Sequence, residues 1–445
     1  MKIKSIFWSL LFLLGSMALQ AQQKTSLPIK EAVQMALEKS HEAALAKARV
    51  NTKKYQYESV KNNRYPDVKL SGQYMRLTDA DITMKTASSS NNSSNSGASK
   101  PVNQLMLAQA NVSMLIFSGF KLQNSIDAAQ NLYLAENAMA KGSNENTAMS
   151  VIRHYAAIYN KQQTVELLEE SLKSNQQRVQ DFTAMEQNGL LARNDLLKSQ
   201  LQVSKVQLSL DQAQKDLKML RFELAQLLQL DPATEIYVSP ENIDPKLFTY
   251  LPKTANEAMD LRSDLTALDF EKKAGTSNVK VAQSAYYPSF LLSGGYIYLD
   301  LQNAIRVENA MNFGLGLSYN LSSLFKNGTE VKAAKSKLAE IEKQQAQLSD
   351  EIKTEIKNAQ ENYELAQKQD RVYAESVTQA TENYRIVKDK YDNGLSNTND
   401  LLEADVDQLS AKINLANAKA NVALKYYEWL HSTGQLLETF QDTQK

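Results

Sequence analysis

Apolar residues recur at every seventh position in four long stretches of this sequence, two in each half. Each stretch is built of residues that favour helices and contains few glycines or prolines. Seven-residue spacing of apolar residues is typical of the seam between helices in a coiled coil. The sequence therefore predicts four long helices, with seams at Ile158, Val165, Leu172 and Val179; Leu196, Val203, Leu210, Leu217 and Leu224; Ile352, Ala359, Ala366, Tyr373, Ala380 and Val387; and Leu402, Leu409, Ala416, Ala423 and Leu430.

The first and third of these helices end in the same short sequence. It consists of Asn-Gly-Leu, four further residues and Asp-Leu-Leu, with the glycines at Gly189 and Gly394. Asn followed by Gly suits a helix end that needs a positive φ, so each copy predicts a tight turn that sends the chain back as the next helix. Asp195 and Asp400 fall at the start of the returning helix, where a carboxylate interacts favourably with the helix dipole.

Each half also contains two stretches in which apolar and polar residues alternate. A period of two predicts strands, each about 11 to 12 residues long. The strands are expected in PDVKLSGQYMRLT, QLMLAQANVSMLIF, PSFLLSGGYIYLD and MNFGLGLSYNLSS, with QNAIRVENA as the loop between the last two. One helix over about residues 28–64, and another of about 30 residues ending at Tyr286, precede the strand pairs, because Tyr65-Pro66 and Tyr287-Pro288 stop them.

Strands of this length could form a half-buried sheet packed on a helix or could cross a membrane. At about 3.3 Å per residue each strand is about 38 Å long. That length crosses a hydrocarbon layer of about 30 Å when the strand is tilted. The membrane is favoured by tyrosines in or beside the strands, which suit an interfacial girdle: Tyr65, Tyr74, Tyr286, Tyr287, Tyr296, Tyr298 and Tyr319.

Four strands cannot close a barrel by themselves. About eight are needed even for a barrel with a filled interior, and an open edge in lipid leaves unpaired backbone groups that cost several kcal/mol each. The barrel must therefore be shared between chains, and three chains would give twelve strands, an even number as in bacterial barrels. The predicted fold is mainly α with a membrane β-barrel, with internally duplicated long coiled-coil helices and four strands per chain.

The order helix, two strands, long helix, turn, helix occurs twice, which indicates an internal duplication. The first structural repeat is expected over residues 22–235 and the second over residues 236–445. Residues 1–21 have the layout of a secretory signal peptide, with two lysines, an apolar run and small residues, so the chain is expected to be exported. The Ser- and Asn-rich tract at 86–101 is expected to be a dispensable extracellular loop.

Composition excludes several classes of function. Lys+Arg and Asp+Glu are equal at 50 each, so no global charge favours nucleic acid. There is no cysteine, which excludes disulfides, thiolate metal sites and a lipid anchor. The three histidines, His41, His154 and His431, lie far apart and no catalytic motif is present, so we expect no enzyme, no cofactor and no metal site. A periplasmic coiled-coil scaffold is an alternative that explains the helices but not the four amphipathic strands.

The ordered set of these features resembles the TolC family, the outer membrane factors of tripartite efflux pumps and type I secretion systems. The resemblance is carried by SLPIKEAVQMALEKS, the two Tyr-Pro pairs, FSGF and FKNG after the strand pairs, and the doubled turn, and it covers nearly the entire mature chain. It implies a homotrimer with one 12-stranded barrel in the outer membrane lipid of a Gram-negative bacterium, and an α-helical tunnel in the periplasm. The implied partners are a periplasmic adaptor (membrane fusion) protein and an inner-membrane RND or ABC transporter. Small-molecule efflux is expected, and type I protein secretion remains an alternative.

The resemblance also implies a role for the two turns. In the family these turns meet the helical hairpin of the adaptor, which makes Gly189, Leu190, Gly394 and Leu395 candidates for adaptor docking. The leucines favour docking over a purely local role, because a turn exposed to water has no need of leucine.

Residues just beyond the turns are expected to line the channel constriction. A tunnel that spans the periplasm must close at its inner end, where the helices turn, and Asp195, Asp400 and Glu403 lie there. Glu403 follows Asp400 by about one helical turn, so both can face one side. In the family an acidic ring at the matching positions forms the constriction, and Tyr391 matches a tyrosine that helps to hold it shut. Ser396 differs from the family, where an arginine of the closed-state lock can stand.

Overall fold

The computed structural model describes residues 25–80, 102–239 and 251–441, which divide into two compact units. The first unit takes the described residues up to Arg49, those from Asn137 to Thr266 and those from Ala346 onward. The second unit takes the described residues within Val50–Glu136 and Ala267–Gln345. The expected signal peptide and the expected loop at 86–101 lie outside the described residues.

The order of elements is nearly the same in both halves of the chain. The first half contains β1 (Thr25–Ser26), α1 (Ile29–Lys39), α2 (His41–Asn62), β2 (Asp67–Ala80), β3 (Val102–Ser118), α3 (Lys121–Gln187) and α4 (Arg193–Leu227). The second half contains β4 (Ile236–Tyr237), α5 (Ala255–Ala258), α6 (Ser263–Gln283), β5 (Ser289–Leu301), β6 (Ile305–Ser318), α7 (Ser323–Asp392), α8 (Thr398–Ser432) and α9 (Glu438–Gln441). The predicted pairs of long helices are confirmed, with 67 and 35 residues in the first half and 70 and 35 in the second. The boundary between repeats at residues 235 and 236 stays a prediction.

None of the described helices is both long enough and apolar enough to cross a membrane.

The helices before the strand pairs are shorter than predicted. The single helix expected over residues 28–64 is wrong, because Ser40 has an extended backbone with ψ 151° and divides it into α1 and α2. The Ser40 hydroxyl accepts a hydrogen bond from the backbone N–H of Ala43 at 3.2 Å, so it caps the start of α2. In the second half α6 has 21 residues and passes into a short 3₁₀ turn that ends at Tyr286.

The four long strands form one antiparallel sheet in the order β2-β3-β5-β6. The strands have 13 to 17 residues, longer than the 11 to 12 predicted. The loop predicted between the last two strands is also wrong, because β6 already begins at Ile305 and pairs there with Leu301. The connection is therefore reduced to residues 302–304.

The two faces of this sheet differ in polarity, as the alternating sequence predicts. One face carries apolar side chains that are 66% to 94% exposed: Val68, Leu70, Phe313, Leu315 and Leu317. The opposite face carries a polar row in which Lys69, Asn111, Gly295 and Asn312 lie side by side in register. Only glycine fits at position 295, since a Cβ there would lie 2.6 Å from Asn111 Oδ1 and 2.8 Å from the Ala110 carbonyl oxygen.

Apolar clusters hold the long helices of the first unit together along their length. The largest cluster brings α1, α3, α4 and α8 together through Val33, Tyr155, Leu224 and Leu430. A second cluster contains Leu168, Val206, Leu210 and Ala213, with Leu409 and Ile413 packed against it. The seam predicted for α4 is confirmed at Leu196, Leu210, Leu217 and Leu224, which are at most 8% exposed. Near the start of α8 the seam is displaced by one residue, because Leu401 is buried and the predicted Leu402 is only half-buried.

Candidate functional site at the two helical turns

The two Asn-Gly-Leu turns have the same backbone hydrogen bonds. Gly189 and Gly394 have φ values of 71° and 74°, the positive φ that the sequence predicts. In each turn the glycine N–H donates to the carbonyl three residues earlier at 2.9 Å, and the leucine N–H donates to the carbonyl five residues earlier at 2.8 Å. These two bonds define a Schellman motif, which satisfies the last carbonyls of a helix. The duplicated sequence thus ends α3 and α7 in the same way.

Both turns lie at the same end of the first unit, because one apolar cluster joins the ends of four helices there. We call this end, made of residues 188–192 and 393–397, the tip. Phe182 of α3, Leu196 of α4 and Leu401 of α8 are buried in the cluster, and Tyr391 of α7 packs against them. The rings of Phe182 and Tyr391 have their centroids 5.8 Å apart.

The leucines of the turns point away from this cluster. Leu190 is 73% exposed and Leu395 is 78% exposed. Single exposed apolar residues are normal on a protein surface. These two leucines differ because they occupy the same position in both copies of a repeated turn. The tip therefore presents two equivalent apolar points, each fixed by a rigid turn.

The two aspartates after the turns are the third residues of α4 and α8, and they are not the capping residues themselves. Asn397 caps α8 by accepting the backbone N–H of Asp400 on its side chain at 3.1 Å. The Ala192 side chain gives α4 no such bond. Asp195 lies 3.4 Å from Lys198 Nζ, whereas Asp400 accepts a hydrogen bond from the Ser396 hydroxyl at 2.8 Å. Both carboxylates lie in the first turn of a helix, as predicted. In that position their negative charge interacts favourably with the helix dipole.

The helix α8 carries an acidic stripe that is longer than the pair of acids predicted from the sequence. Asp400, Glu403 and Asp407 are all exposed, and their three- and four-residue spacing puts them on one face of the helix. Asp407 is absent from the predicted site, although the same spacing rule that pairs Asp400 with Glu403 would have found it. The stripe extends the acidic surface by about one helical turn away from the tip.

Tyr391 lies against its own chain. Its ring is half-buried in the tip cluster, and its hydroxyl is buried without a hydrogen-bond partner among the described residues. The ring lines a groove of about 660 Å³ between α3 and α7, together with Phe182, Tyr384 and Lys388. A buried hydroxyl without a partner is costly, so it is a group that a second molecule could satisfy.

A buried ion pair lies beside this groove, and the sequence does not predict it. Arg178 of α3 and Asp405 of α8 are only 9% and 13% exposed, and two hydrogen bonds of 3.1 and 3.2 Å join them. Burial lowers the pKa of Arg178, but the hydrogen bonds and the negative charge of Asp405 outweigh it and raise that pKa above its ordinary value. Arg178 is therefore charged in the folded protein.

The sequence matches the profile of one protein family over most of its length. The family is described as outer membrane efflux protein, and the match covers residues 32–229 and 254–428. A relative in the same class, the outer membrane efflux protein BepC of Brucella suis biovar 1 (strain 1330), is 20% identical over 332 residues, which are 73% of this chain and 71% of BepC.

Solved structures share the fold at low sequence identity. A membrane protein from Pseudomonas aeruginosa has a TM-score of 0.80 and 16% identity, with 91% of this chain and 92% of that chain covered. The CmeC outer membrane channel of Campylobacter jejuni has a TM-score of 0.79 and 17% identity, with 94% of this chain and 91% of that chain covered. These likenesses extend over both units of the chain.

Proposed function

The chain belongs to the outer membrane efflux protein family, and we propose that it is the outer-membrane channel of a tripartite efflux pump. In this role it passes small molecules from an inner-membrane RND or ABC transporter and a periplasmic adaptor to the cell exterior. The observation that carries the proposal is the four-stranded sheet with one exposed apolar face and one polar face. That division suits strands with lipid on one side and water on the other.

We propose that the working form is a homotrimer. Among the described residues no strand pairs with the outer edges of β2 and β6, and unpaired edges are not tolerated in lipid. Three copies joined edge to edge would close a barrel of twelve strands.

Exposed apolar residues on the long helices of the first unit also support a trimer. Two series of exposed apolar residues follow seven-residue spacing, each with one polar residue in the series, Lys215 in the first and Gln379 in the second. Such spacing is the pattern of a seam that lacks its partner within the chain. Their members are 36% to 71% exposed: Leu201, Leu208 and Phe222 on α4, and Leu365, Val372 and Ile386 on α7. In a trimer the α4 series of one copy would pack against the α7 series of the next and so close a helical tunnel.

We propose that the tip is the docking surface for the adaptor and that the channel constriction lies just beyond it. Asp195, Asp400 and Glu403 supply carboxylates just beyond the turns, and three copies would crowd them around one axis. Leu190 and Leu395 supply the exposed apolar points that a helical partner could cover. The rigid turns at Gly189 and Gly394 would hold these leucines in fixed positions.

Tyr391 is proposed to help to keep the constriction closed through its place in the tip cluster. Because its ring packs on Phe182, it ties the end of α7 to the end of α3 within one chain.

Paired substitutions on the two faces of β6 test the channel proposal. Phe313→Lys places a charge on the apolar face, whereas Asn312→Lys places the same charge on the neighbouring residue of the polar face. A lysine facing lipid costs about 2 to 4 kcal/mol near the bilayer centre. We expect Phe313→Lys to reduce recovery from the outer-membrane fraction, and Asn312→Lys to leave recovery intact.

The purified wild-type trimer should give discrete conductance steps in planar lipid bilayers. A verified trimer that leaves bilayers inert, or equal recovery of the two lysine variants, would contradict a membrane channel.

A further inference from the structure

We propose that a groove beside Lys280, where the strands join the helices, binds the headgroup of an anionic phospholipid. The inference rests on the proposed channel function, because that function places lipid against the apolar face of the sheet. It assigns to each chain one site that prefers a negatively charged headgroup to one without net charge.

The groove lies directly beyond one end of the sheet. At this end Ser289 of β5 pairs with Ser118 of β3 on one side and with Ser318 of β6 on the other. The groove has a volume of about 610 Å³ and is lined by the residues after β3, the first turn of α3, the end of α6 and one residue of α7. All of these residues belong to the second unit.

An aromatic cluster connects the groove to the apolar face of the sheet. Phe117 and Phe290 lie side by side in register with their ring centroids 6.0 Å apart, and Phe290 pairs with Leu317 of the apolar face. The ring of Phe120, which lines the groove, packs edge-on against Phe117 at 5.4 Å and is 66% exposed. Aromatic rings form such girdles where hydrocarbon meets the headgroups. The groove therefore lies at the depth of the headgroups.

The groove carries a net positive charge. Lys280 is exposed, is the one charged residue of the lining, and forms no ion pair with any described residue. Arg64 adds a second cation, because it donates to the side-chain oxygen of Gln123 in the lining at 2.8 Å. The amide nitrogen of Gln123 donates in turn to Asp127 at 3.0 Å, so one carboxylate outside the lining offsets one of the two cations. Ammonium and guanidinium groups in this arrangement suit a lipid phosphate.

The unpaired state of Lys280 is particular to this place in the chain. Lys273, about two turns earlier on α6, pairs with Asp269 at 2.7 Å. In the first half of the chain, Glu58 holds the position relative to the Tyr-Pro pair that Lys280 holds in the second. The internal duplication therefore does not account for Lys280, and each chain has one such site.

The position of the groove favours lipid over a neighbouring copy of the chain. Copies joined edge to edge meet at β2 and β6, whereas the groove lies beyond the two middle strands, β3 and β5. It offers exposed aromatic rings on the side of the sheet and an unpaired cation on the side of the helices. Acyl chains and a phosphate of one lipid molecule match these two surfaces.

Native mass spectrometry of the purified trimer in a neutral detergent tests the site. Dioleoylphosphatidylglycerol is the anionic probe, and dioleoylphosphatidylcholine has the same acyl chains without a net charge. We expect one tightly bound anionic lipid per chain and weaker binding of the other lipid. Lys280→Gln should lower the affinity for the anionic lipid about fivefold, which is the usual contribution of one cation near an anionic lipid surface.

Two further variants and a competitor serve as controls. Lys280→Arg keeps the charge and should keep the affinity, and Lys273→Gln removes a lysine of the same helix that pairs outside the groove and should also keep it. Excess inorganic phosphate should not displace the lipid, because the aromatic rings also hold its acyl chains. A melting curve and the trimer mass of each variant separate loss of folding from loss of lipid.

The outcomes are distinct for the two proposals. If the wild-type trimer gives no conductance steps, the channel function is wrong. If the wild type conducts and Lys280→Gln binds the anionic lipid as tightly as the wild type does, the lipid site is wrong while the channel stands. The lipid site is equally wrong if the wild type binds both lipids alike, if phosphate displaces the lipid, or if Lys273→Gln weakens binding as much as Lys280→Gln.

Discussion

Gly189 and Gly394 have nearly identical backbone conformations, with φ values of 71° and 74°, and a Cβ at either position would meet no atom within 4 Å. Any penalty for a side chain there comes from the backbone alone. We expect Gly189→Ala and Gly394→Ala each to lose about 1 to 2 kcal/mol of stability, and Asn at the same positions to lose less, since Asn adopts positive φ more readily.

Thermal unfolding of the trimer measures this loss, and Gly314→Ala is the control. A Cβ at Gly314 also meets no atom within 4 Å, but its φ is not positive. Equal effects of Ala at all three positions would show that the positive φ of the turns carries no cost.

The exposed leucines of the turns are expected to matter for export and not for assembly. Leu190→Ser with Leu395→Ser should abolish export in cells, because the double variant removes both apolar points that the adaptor would cover. Trimer mass and bilayer conductance should match the wild type, since both side chains are more than 70% exposed. Normal drug export by this variant would show that Leu190 and Leu395 do not take part in adaptor docking.

The acidic residues of α8 are expected to select cations. Asp400→Ala with Glu403→Ala should weaken cation selectivity and block by multivalent cations, because fewer carboxylates would face the axis. Reversal potentials in asymmetric salt measure the change. Asp211→Ala removes an exposed acid of α4 and should leave selectivity as it is. If the double variant has the same selectivity as the wild type, these acids only stabilise the start of α8 and do not select ions.

Stability is expected to depend on pH through one buried carboxyl group of α3. Glu145 is 5% exposed, its Oε1 has no hydrogen-bond partner among the described residues, and burial raises its pKa from 4.5 to about 7. Asp264 and Glu438 act in the same direction, while Lys141 and Arg262 oppose it. Between pH 4.5 and 7 the folded chain holds a proton that the unfolded chain has lost, so stability falls as the pH rises through this window.

Glu145→Gln should remove this fall in the free energy of unfolding, which is on the order of 3 kcal/mol. The variant should therefore gain more in melting temperature at pH 8 than at pH 4.5. Glu166→Gln, at an exposed position of the same helix, should leave the pH dependence unchanged. The same slope in wild type and Glu145→Gln would assign the pH dependence to other groups.

Features of the fold that depend on neighbouring residues could be predicted from the sequence. The Asn-Gly pairs predict the positive φ of the turns, and the Tyr-Pro pairs predict the ends of the helices before each strand pair. The break at Ser40 could not be predicted, because the residues on both sides continue to favour a helix. The extended backbone of Ser40 and the hydrogen bond from the Ala43 N–H to its hydroxyl, which only the structure shows, mark where the second helix begins.

Features that depend on distant residues were harder to predict. Residues 305–310, IRVENA, alternate between apolar and polar only as far as Glu308, and Asn309, with a positive φ, lies where the register shifts. They nevertheless belong to β6, where Arg306 pairs with Asp300 at 2.9 Å across the hairpin. Arg178 and Asp405 are 227 positions apart, and each resembles an ordinary surface charge on a helix. Their contact exists only because α3 and α8 pack together.

The bare outer edges of β2 and β6 decide when the chain can enter a bilayer. A lone copy in hydrocarbon would leave the outward backbone groups of both strands without partners, at several kcal/mol for each group. Copies that act as a trimer must therefore meet in the periplasm before or during insertion. Insertion then requires several chains to meet. Its rate therefore rises more than in proportion to the concentration of exported chain.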